Sequence, residues 1–565
     1  MSSTQTYQYK ALSGPRAIRV VVLQPALQLE DPLEGTIEEH LLDSEGSPSR
    51  EYEALSYVWG ETHGTQPMTC NDQTILITQN CDLALRHLRL PSTPRTLWID
   101  SICIDQTSLS ERATQVPLMG EIYSSATKTI IWLGPGNPTD ATAFRHARTA
   151  ARLYRFEHRL PLSPLRTLFR RLARPYTHSP SHLAALLPLC QNPWYARIWT
   201  LQECFLGRDP TLQSGHLQLP LSDFAEYWLF LSILQGDPFA HATRDCFARL
   251  ASLIIIPTFA ALAGTTSINR KKQRRVVPTN VRAEYATWWE FRKHLPYFLH
   301  QACFSNTATD PRDKVHALLP ILARLMPELG EFPVRYDAPV GRVYEAFTKW
   351  LILYTRRLGV FDLHFPRERS VAGMPRWVFD FGGDTSGDLF VLVGGALCWE
   401  AAGESDVDMD LFMASPPGEL HVRGARFDSV KLVSPEIPKR MQMAREIAET
   451  FVGWLALAVP EEEEFKKVRW QFLQGLASQL MVMNRFKEWG RFYVTEGGCV
   501  GISQFDIVPG DQIVVMAGGD VPAMLRARED GKWAYWGPTV VVGTEMGKFW
   551  GEGRVVEEMD VWELV

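Results

Sequence analysis

The chain has 565 residues, of which 45% are hydrophobic and 22% are charged, the usual balance of a soluble globular protein. Its net charge of −6 argues against a nucleic-acid-binding protein, because such proteins usually carry a basic surplus. The nine cysteines form no CxxC pair, which indicates reduced thiols and argues against a secreted, disulfide-bonded protein.

Strands and helices are predicted to alternate in the first quarter of the chain. The predicted strands are short segments rich in β-forming or apolar residues: AIRVVVL (17–23), EALSYVWG (53–60), TLWIDSICI (96–104) and KTIIWLG (128–134). SLSE (108–111) fits a capping box that starts a helix, with Ser108 as the N-cap and Glu111 three residues later. This alternation predicts a parallel α/β sheet.

Two segments in the middle of the chain have alternative interpretations. The apolar run 250–268 is interrupted by Pro257 and Gly264, which favours a buried helix or turn pair over a membrane span. The basic cluster NRKKQRR (269–275) fits a solvated loop, and its alternative is a nuclear address or a DNA contact.

The remainder of the chain changes character towards its end. DPRDKVHALL (310–319) has a helix-start pattern, with Asp310 as the cap and Pro311 in the first position. Short β-rich runs joined by Gly-Gly and Asp-Gly turns follow between about 485 and 545, and they predict a small antiparallel barrel or sandwich. A mainly helical region is expected over 208–400, and an α+β module over 401–565.

Three blocks of sequence, in this order, resemble the heterokaryon incompatibility (HET) domain of filamentous fungi. They are EALSYVWG (53–60), the stretch from TLWIDSICIDQ to KTIIWLG (96–134), and NPWYARIWTLQE (192–203). Pro117 departs from the family pattern, which has a polar residue there. The resemblance places a HET domain at 49–207, preceded by a lead-in with one strand at 1–48. It implies a role in non-self recognition after hyphal fusion, followed by programmed cell death.

The HET domain is in turn a distant relative of the TIR domain, which has a flavodoxin-like parallel sheet. LSYVWGE (55–61) is similar to the first TIR box, and RIWTLQE (197–203) resembles the TIR stretch that carries the catalytic glutamate of NAD-cleaving enzymes. Carried over to this sequence, that glutamate is Glu203. Trp199 precedes it by four residues, so the two share one face of a helix.

Cleavage of the nicotinamide–ribose bond of NAD builds positive charge on the sugar, and one fixed carboxylate can stabilise that charge. An indole beside it can stack on a base or on nicotinamide. Ligands of open parallel sheets bind beyond the carboxyl ends of strands. The predicted contacts with the nucleotide therefore include residues that follow two predicted strands: Trp59, Gly60, Glu61, Asp105 and Gln106. Asp100, inside its predicted strand, requires a partner such as Arg112 or a backbone amide.

Structural interpretations of the same residues remain open: Glu203 as an exposed helix residue or a partner of Arg197, and Asp105 as a turn or N-cap residue. Two functions follow: an NAD hydrolase activated by self-association, or a non-enzymatic module that assembles a signalling complex. A third alternative is a nuclear regulator that acts through 269–275. We expect no metal or cofactor beyond NAD as substrate, no membrane or nucleic-acid partner, an incompatibility partner protein of unknown identity, and a cytoplasmic or nuclear location.

Overall fold

A computed structural model describes most of the chain and divides it into two compact units. The first unit comprises 1–286 and 305–336, and the second comprises 287–304 and 337–565. The described residues are 6–42, 51–61, 63–177, 179–233, 306–325, 330–362, 369–382, 405–436, 444–459, 490–503, 505–519, 521–542 and 556–565, with isolated residues within 295–303 and 463–469. The segments 250–268 and 269–275, with their alternative interpretations, lie outside the described residues.

The first unit is built on a sheet that has nine strands among the described residues. In chain order they are β1 (Ala17–Leu23), β2 (Glu34–Leu41), β3 (Glu53–Ser56), β4 (Gln66–Cys70), β5 (Gln73–Ile77), β6 (Arg95–Trp98), β7 (Lys128–Trp132), β8 (Thr211–Ser214) and β9 (Leu217–Pro220). Their order across the sheet is β5-β4-β2-β1-β6-β3-β7-β8-β9.

The helices of this unit lie between the strands and after them. They are α1 (Gln79–Leu88), α2 (Asp100–Cys103), α3 (Leu109–Ser125), α4 (Asp140–Arg159), α5 (Ser163–Thr177), α6 (Pro180–Cys190), α7 (Thr200–Phe205), α8 (Leu221–Ile233), α9 (Asp313–His316) and α10 (Leu319–Leu325). A 3-10 helix, Pro193–Ala196, precedes α7. Ser108 caps α3 as predicted, because its hydroxyl accepts the Glu111 amide at 3.2 Å.

The prediction of a parallel sheet is correct for its centre, whereas in its margins only β2 and β4 pair in parallel and the other neighbours are antiparallel. Strands β6, β3, β7 and β8 are parallel, and Ala54 of β3 pairs with Trp98 on one side and Thr129 on the other. β1 pairs antiparallel with both β2 and β6, and β8 pairs antiparallel with β9. The sheet is therefore mixed, because short connections return the chain along its flanks.

The parallel centre has the strand order second, first, third, fourth along the chain. This is the order at the start of doubly wound, flavodoxin-like sheets, whose ligands bind where the winding direction reverses. The reversal here lies at β3, between β6 and β7. The indoles of Trp98 and Trp132 are fully buried at the ends of these two neighbours and anchor the core around β3.

Three predicted elements differ from the structure, and the first is EALSYVWG (53–60), of which only Glu53–Ser56 is a strand. TLWIDSICI (96–104) is a strand only as far as Trp98, and the chain then turns into the short helix α2, in which the Asp100 carboxylate accepts the Ser101 amide at 2.7 Å. An apolar run cannot distinguish a buried strand from a buried helical turn. The helix expected to start at Asp310 begins at Asp313, because Asp310 accepts the Arg312 amide at 3.0 Å and closes a turn before it.

The second unit contains helices and a β-rich sheet. Its helices are α11 (Val340–Thr355), α12 (Met409–Met413) and α13 (Ala444–Ala458). Its strands are β10 (Leu420–Val433), β11 (Arg491–Thr495), β12 (Val500–Ser503), β13 (Gln512–Met516), β14 (Ala523–Ala527), β15 (Trp533–Pro538), β16 (Val540–Val542) and β17 (Asp560–Leu564). The short 3-10 helices are Gly359–Asp362 and Val556–Glu558.

The predicted β-rich end is present, and it includes two strands that lie outside 485–545. Strand β10 pairs with both β13 and β17, which closes β13, β14, β15, β17 and β10 into a ring. The pairing is antiparallel except between β15 and β17, where Trp533 lies opposite Leu564 in a parallel bridge. Beyond this ring, the long strand β10 also pairs with β11, and the sheet extends from β11 to β12 and β16.

Candidate functional site at the end of strand β3

Glu203 lies in α7 and is buried, with 1% of its surface exposed. Its carboxylate accepts a hydrogen bond from the hydroxyl of Ser56, the last residue of β3. Burial raises the pKa of Glu203 to about 6, although the positive charge of Arg197 and the Ser56 hydrogen bond both act to lower it. An exposed helix residue is therefore excluded.

Ser56 connects Glu203 to a second buried side chain. The indole N–H of Trp194, in the 3-10 helix before α7, donates to the Ser56 oxygen at 2.7 Å. Because this oxygen accepts from the indole, its own proton is directed to the carboxylate. The indole joined to Glu203 through hydrogen bonds is thus that of Trp194 rather than Trp199.

Arg197 is the cation of this site. Its guanidinium donates to the carbonyl oxygen of Tyr57, the residue after β3. Its charge favours the ionised forms of both Glu203 and Asp100. Glu203 and Arg197 thus interact through their charges, while the hydrogen bond to the carboxylate comes from Ser56.

Asp100 is the second buried carboxylate of the site. Burial raises its pKa, and this effect is opposed by Arg197 and by the indole N–H of Trp59, which lies 3.0 Å from both carboxylate oxygens. The expected backbone amide partner is present at Ser101. The alternative partner, Arg112, lies instead over the ring of Tyr336, 5.7 Å from its centroid.

Trp199 is half-buried at the N-cap of α7, and its indole N–H donates to Asp313 of α9 at 3.3 Å. Asp313 also accepts the hydroxyl of Tyr336 at 2.6 Å. Burial raises the pKa of Asp313 to about 6, while its hydrogen bonds act to lower it. Residues more than 100 positions after Trp199 therefore hold its indole in place.

The other predicted contact residues have separate environments. Gln106 donates to the backbone carbonyl of Asp100 at 2.9 Å, and Trp59 donates to the carboxylate of the same residue. Gln106 and Trp59 therefore both contact Asp100. Asp105 accepts the amide and hydroxyl of Thr107, in keeping with its structural interpretation as a turn residue. Gly60 and Glu61 are exposed, and Gly60 has a φ of +80° that favours glycine. Among the described contacts, none joins Asp105, Gly60 or Glu61 to Glu203.

The family comparison covers the part of the chain that carries this site. The family model described as heterokaryon incompatibility protein (HET) matches residues 52–203. This segment of the chain is a HET domain. The match begins just before β3 and ends at Glu203, so the HET domain contains Ser56, Asp100, Trp194 and Arg197 as well as Glu203.

A curated relative extends the similarity beyond the HET domain. The chain is 28% identical over 363 residues to the heterokaryon incompatibility protein 6, OR allele, of Neurospora crassa. The aligned region covers 58% of this chain and 50% of the relative, so the chain spans about half the length of that protein. No solved structure matches the chain.

Sequence reasoning missed four side chains of the site: Ser56, Trp194, Asp313 and Tyr336. Ser56 lies in the first HET block and Trp194 in the third. The family resemblance therefore included both residues, but it did not indicate that they form hydrogen bonds in the site. Asp313 and Tyr336 lie beyond the HET match. The sequence assigned them no role in the site, because a contact such as that of Trp199 with Asp313, 114 residues later, produces no periodic pattern.

One group of possible metal ligands occurs in the described part of the second unit: Glu419, His421 and Glu563. Glu419 accepts a hydrogen bond from the ammonium group of Lys532. A protein cation already neutralises this group, so we do not interpret it as a metal site. Among the described residues, no helix has the length and apolar character that crossing a membrane requires.

Proposed function

We propose that this HET-domain protein acts in vegetative incompatibility, the recognition of non-self after hyphal fusion, and that its HET domain cleaves NAD to start programmed cell death. The role in incompatibility is supported by the family match and by the Neurospora crassa relative. The chemistry is supported by one observation: a buried glutamate is held in a fixed orientation at the carboxyl end of β3, beside a cation.

The position of Glu203 supports a distant kinship with TIR domains and their flavodoxin-like sheets. Within the parallel centre of the sheet, β3 is the first strand along the chain and lies between the second and the third, so the strand order reverses there, which is where such sheets bind ligands. Glu203 comes to this place through its hydrogen bond with Ser56.

The chemical role of Glu203 follows from its environment. In its ionised form the carboxylate would stabilise the positive ribose that forms when the nicotinamide bond breaks. Low dielectric strengthens this attraction, since few water molecules compete for the carboxylate. Arg197 keeps the pKa of Glu203 from rising further, so the carboxylate is ionised at neutral pH. Trp59 and Trp199 are half-buried and offer ring faces for the two bases of NAD.

The burial of Glu203 also supports a resting state that requires activation. With 1% of its surface exposed, Glu203 meets the ribose only after side chains around it move. Self-association of HET domains, triggered by an incompatibility partner protein, would supply the energy for this movement. We propose that this response takes place in the cytoplasm, with NAD as substrate and without a metal.

A direct test compares NAD turnover by the purified chain and by Glu203→Gln, over protein concentrations that span self-association and after forced dimerisation through a fused dimer module. Turnover by the parent protein and loss of at least 100-fold in Glu203→Gln are expected, the magnitude typical of a lost electrostatic group. The matched control is Glu226→Gln, because Glu226 is also a buried glutamate of the first unit, paired with Arg155 at 2.5 Å. Equal turnover by the parent and Glu203→Gln would refute the assignment.

The second candidate is a non-enzymatic module that assembles a cell-death complex. The observation in its favour is that Glu203 already has a core partner, Ser56, and contributes to joining α7 to the sheet. If dimerised protein cleaves no NAD, while Glu203→Ala, which removes the acceptor of the Ser56 hydroxyl, lowers both stability and self-association, this structural role of Glu203 replaces the catalytic one.

A further inference from the structure

Helices α4 and α5 of the first unit carry a dense cluster of positive charge. Between residues 140 and 177 the sequence has nine arginines and only two acidic residues, Asp140 and Glu157, although the whole chain has a net charge of −6. Glu157 is buried and paired with Arg170 at 2.8 Å, so it does not offset the surface charge. Six of the arginines are exposed: Arg145, Arg148, Arg152, Arg159, Arg171 and Arg174.

Large apolar side chains are exposed in the same region. Leu165, Leu168 and Leu172 of α5 are 43%, 55% and 72% exposed. Their spacing of three and four residues places them along one stripe of the helix. Leu162, just before α5, and Phe156 of α4 are exposed as well, and the Phe156 ring packs on Phe169 of α5 with centroids 5.2 Å apart.

The two features form one surface, which we call the arginine–leucine surface: the exposed arginines and the exposed leucines and phenylalanine of residues 145–174. Phe156 follows Arg152 by four residues and precedes Arg159 by three, so all three lie on one face of α4. Its contact with Phe169 connects that face to α5. Leucines exposed to this extent next to exposed cations require a partner that is both apolar and negatively charged.

We propose that the arginine–leucine surface binds the surface of an anionic phospholipid membrane. Amphipathic helices with leucines on one side and arginines beside them lie in the interface between headgroups and acyl chains. The arginines would pair with the lipid phosphates and carboxylates, and the leucines would enter the acyl boundary. The sequence predicted no membrane partner because it contains no convincing spanning segment, but a surface contact does not require one.

The charge pattern disfavours the other occupants. A symmetric pairing of two copies through this surface would bring two sets of arginines together, which is unfavourable. A nucleic acid would satisfy the arginines but not the leucines, because its backbone is polar and charged. An acidic protein helix is the remaining competitor, and the experiment separates it from a lipid surface.

The test is sedimentation of the full chain with vesicles of phosphatidylcholine alone and of phosphatidylcholine mixed with phosphatidylserine, at low and high salt. Binding to the mixed vesicles that weakens with salt is expected. Each arginine near an anionic surface contributes a factor of about five, so Arg171→Gln combined with Arg174→Gln should weaken binding about 25-fold. Combined Leu165→Ser, Leu168→Ser and Leu172→Ser should abolish it.

Matched controls are exposed residues elsewhere: Leu27→Ser, at a position that is 81% exposed, and Arg528→Gln in the second unit. Both should bind like the parent protein, and thermal melting checks that every variant is folded. Equal binding to both kinds of vesicle would overturn the proposal. Full binding by the leucine variant would also overturn it. The proposal is likewise overturned if the protein does not bind vesicles but instead dimerises or binds an acidic polypeptide, and the same substitutions remove that interaction. The outcome of the vesicle experiment does not depend on whether the protein cleaves NAD.

Discussion

The Ser56 hydroxyl donates a hydrogen bond to the Glu203 carboxylate, and this contact joins the end of strand β3 to helix α7 across 147 residues of sequence. The same Ser56 oxygen accepts the indole N–H of Trp194. The carboxylate is thus oriented by a chain of two hydrogen bonds, in a buried environment where each bond is strengthened by low dielectric. Any role of Glu203, catalytic or structural, depends on this orientation.

Ser56→Ala should destabilise the HET domain and change the pH dependence of NAD turnover. Loss of the hydroxyl leaves a buried carboxylate and a buried indole N–H without this partner, at a cost of about 1–3 kcal/mol in the free energy of unfolding. It also removes a hydrogen bond that favours the ionised carboxylate, so the pKa of Glu203 should rise above its value of about 6. Turnover measured against pH should therefore reach its plateau at higher pH.

The control for this substitution is Ser214→Ala. Ser214 ends β8 and its hydroxyl donates to the buried carboxylate of Asp140, so it repeats the Ser56 arrangement away from Glu203. It should lose a similar amount of stability while the pH profile of turnover stays unchanged. A pH profile that moves equally in both variants would show that Ser56 acts only through the fold.

Substitution of Arg197 should affect turnover through charge. Arg197→Gln removes the cation that lowers the pKa of both Glu203 and Asp100, so both pKa values should rise. Turnover at neutral pH should then fall, by about tenfold for each unit by which the pKa of Glu203 comes to exceed the assay pH, and should recover in alkaline buffer. Arg197→Lys retains the positive charge and should keep most of the activity. Loss that alkaline buffer does not restore would contradict this account.

Sequence reasoning located the centre of the fold because the apolar runs of β3, β6 and β7 are short, buried and separated by helical patterns. It did not predict the antiparallel margins, since the apolar pattern of a strand does not encode the direction of its neighbour. The strand predicted at 96–104 was wrong in its second half for a related reason. Both the strand and the helical turn that follows it are buried and therefore apolar, whereas the turn is marked by the Ser101 amide donating to the Asp100 carboxylate.

The candidate site was only partly accessible to the same reasoning. Glu203 and Trp199 were found through their spacing and their family resemblance, and the structure joins them through the backbone of α7, where the Glu203 amide donates to the Trp199 carbonyl at 3.2 Å. Their side chains have different partners, Ser56 for the one and Asp313 for the other. Spacing on a helix specifies a shared face, but long-range hydrogen bonds decide where each side chain points.

The Asp313 carboxylate should position Trp199 for substrate binding. Asp313→Ala removes the acceptor of the indole N–H and of the Tyr336 hydroxyl. A hydrogen bond to a charged acceptor is worth about 1.5–3 kcal/mol, so we expect KM for NAD to rise about tenfold or more with a smaller change in kcat. Asp313→Asn keeps an acceptor oxygen and should restore KM. A fall in kcat alone, unrelieved in Asp313→Asn, would instead show that Asp313 takes part in the reaction as an acid or base.

Glu203→Gln should change the pH dependence of stability as well as turnover. The pKa of Glu203 is about 6 in the folded protein, above the ordinary glutamate value of 4.5, so the folded state holds the proton more tightly than the unfolded chain does. Stability contributed by the protonated group is present below pH 4.5 and is lost as pH rises through about 6. Glutamine does not ionise, so the variant loses no stability in this pH range, and its amide oxygen can still accept a hydrogen bond from the Ser56 hydroxyl. The variant should therefore gain about 2 kcal/mol relative to the parent between these pH values.

Chemical denaturation across about pH 4 to 7 measures this difference in the free energy of unfolding, with Asp310→Asn as the control. Burial opposes ionisation of Asp310, but hydrogen bonds from Arg312 outweigh it and lower its pKa. The stability contributed by the Asp310 carboxylate is present above the pKa of the unfolded state and is lost only as pH falls through the lower pKa of the folded state. The free energy of unfolding of Asp310→Asn should therefore follow the same pH dependence as that of the parent over this range. A Glu203→Gln difference that is independent of pH would mean that folding leaves the pKa of Glu203 unchanged. A difference that falls with rising pH would mean that its neighbours stabilise the ionised carboxylate and lower its pKa, and either outcome contradicts the raised pKa.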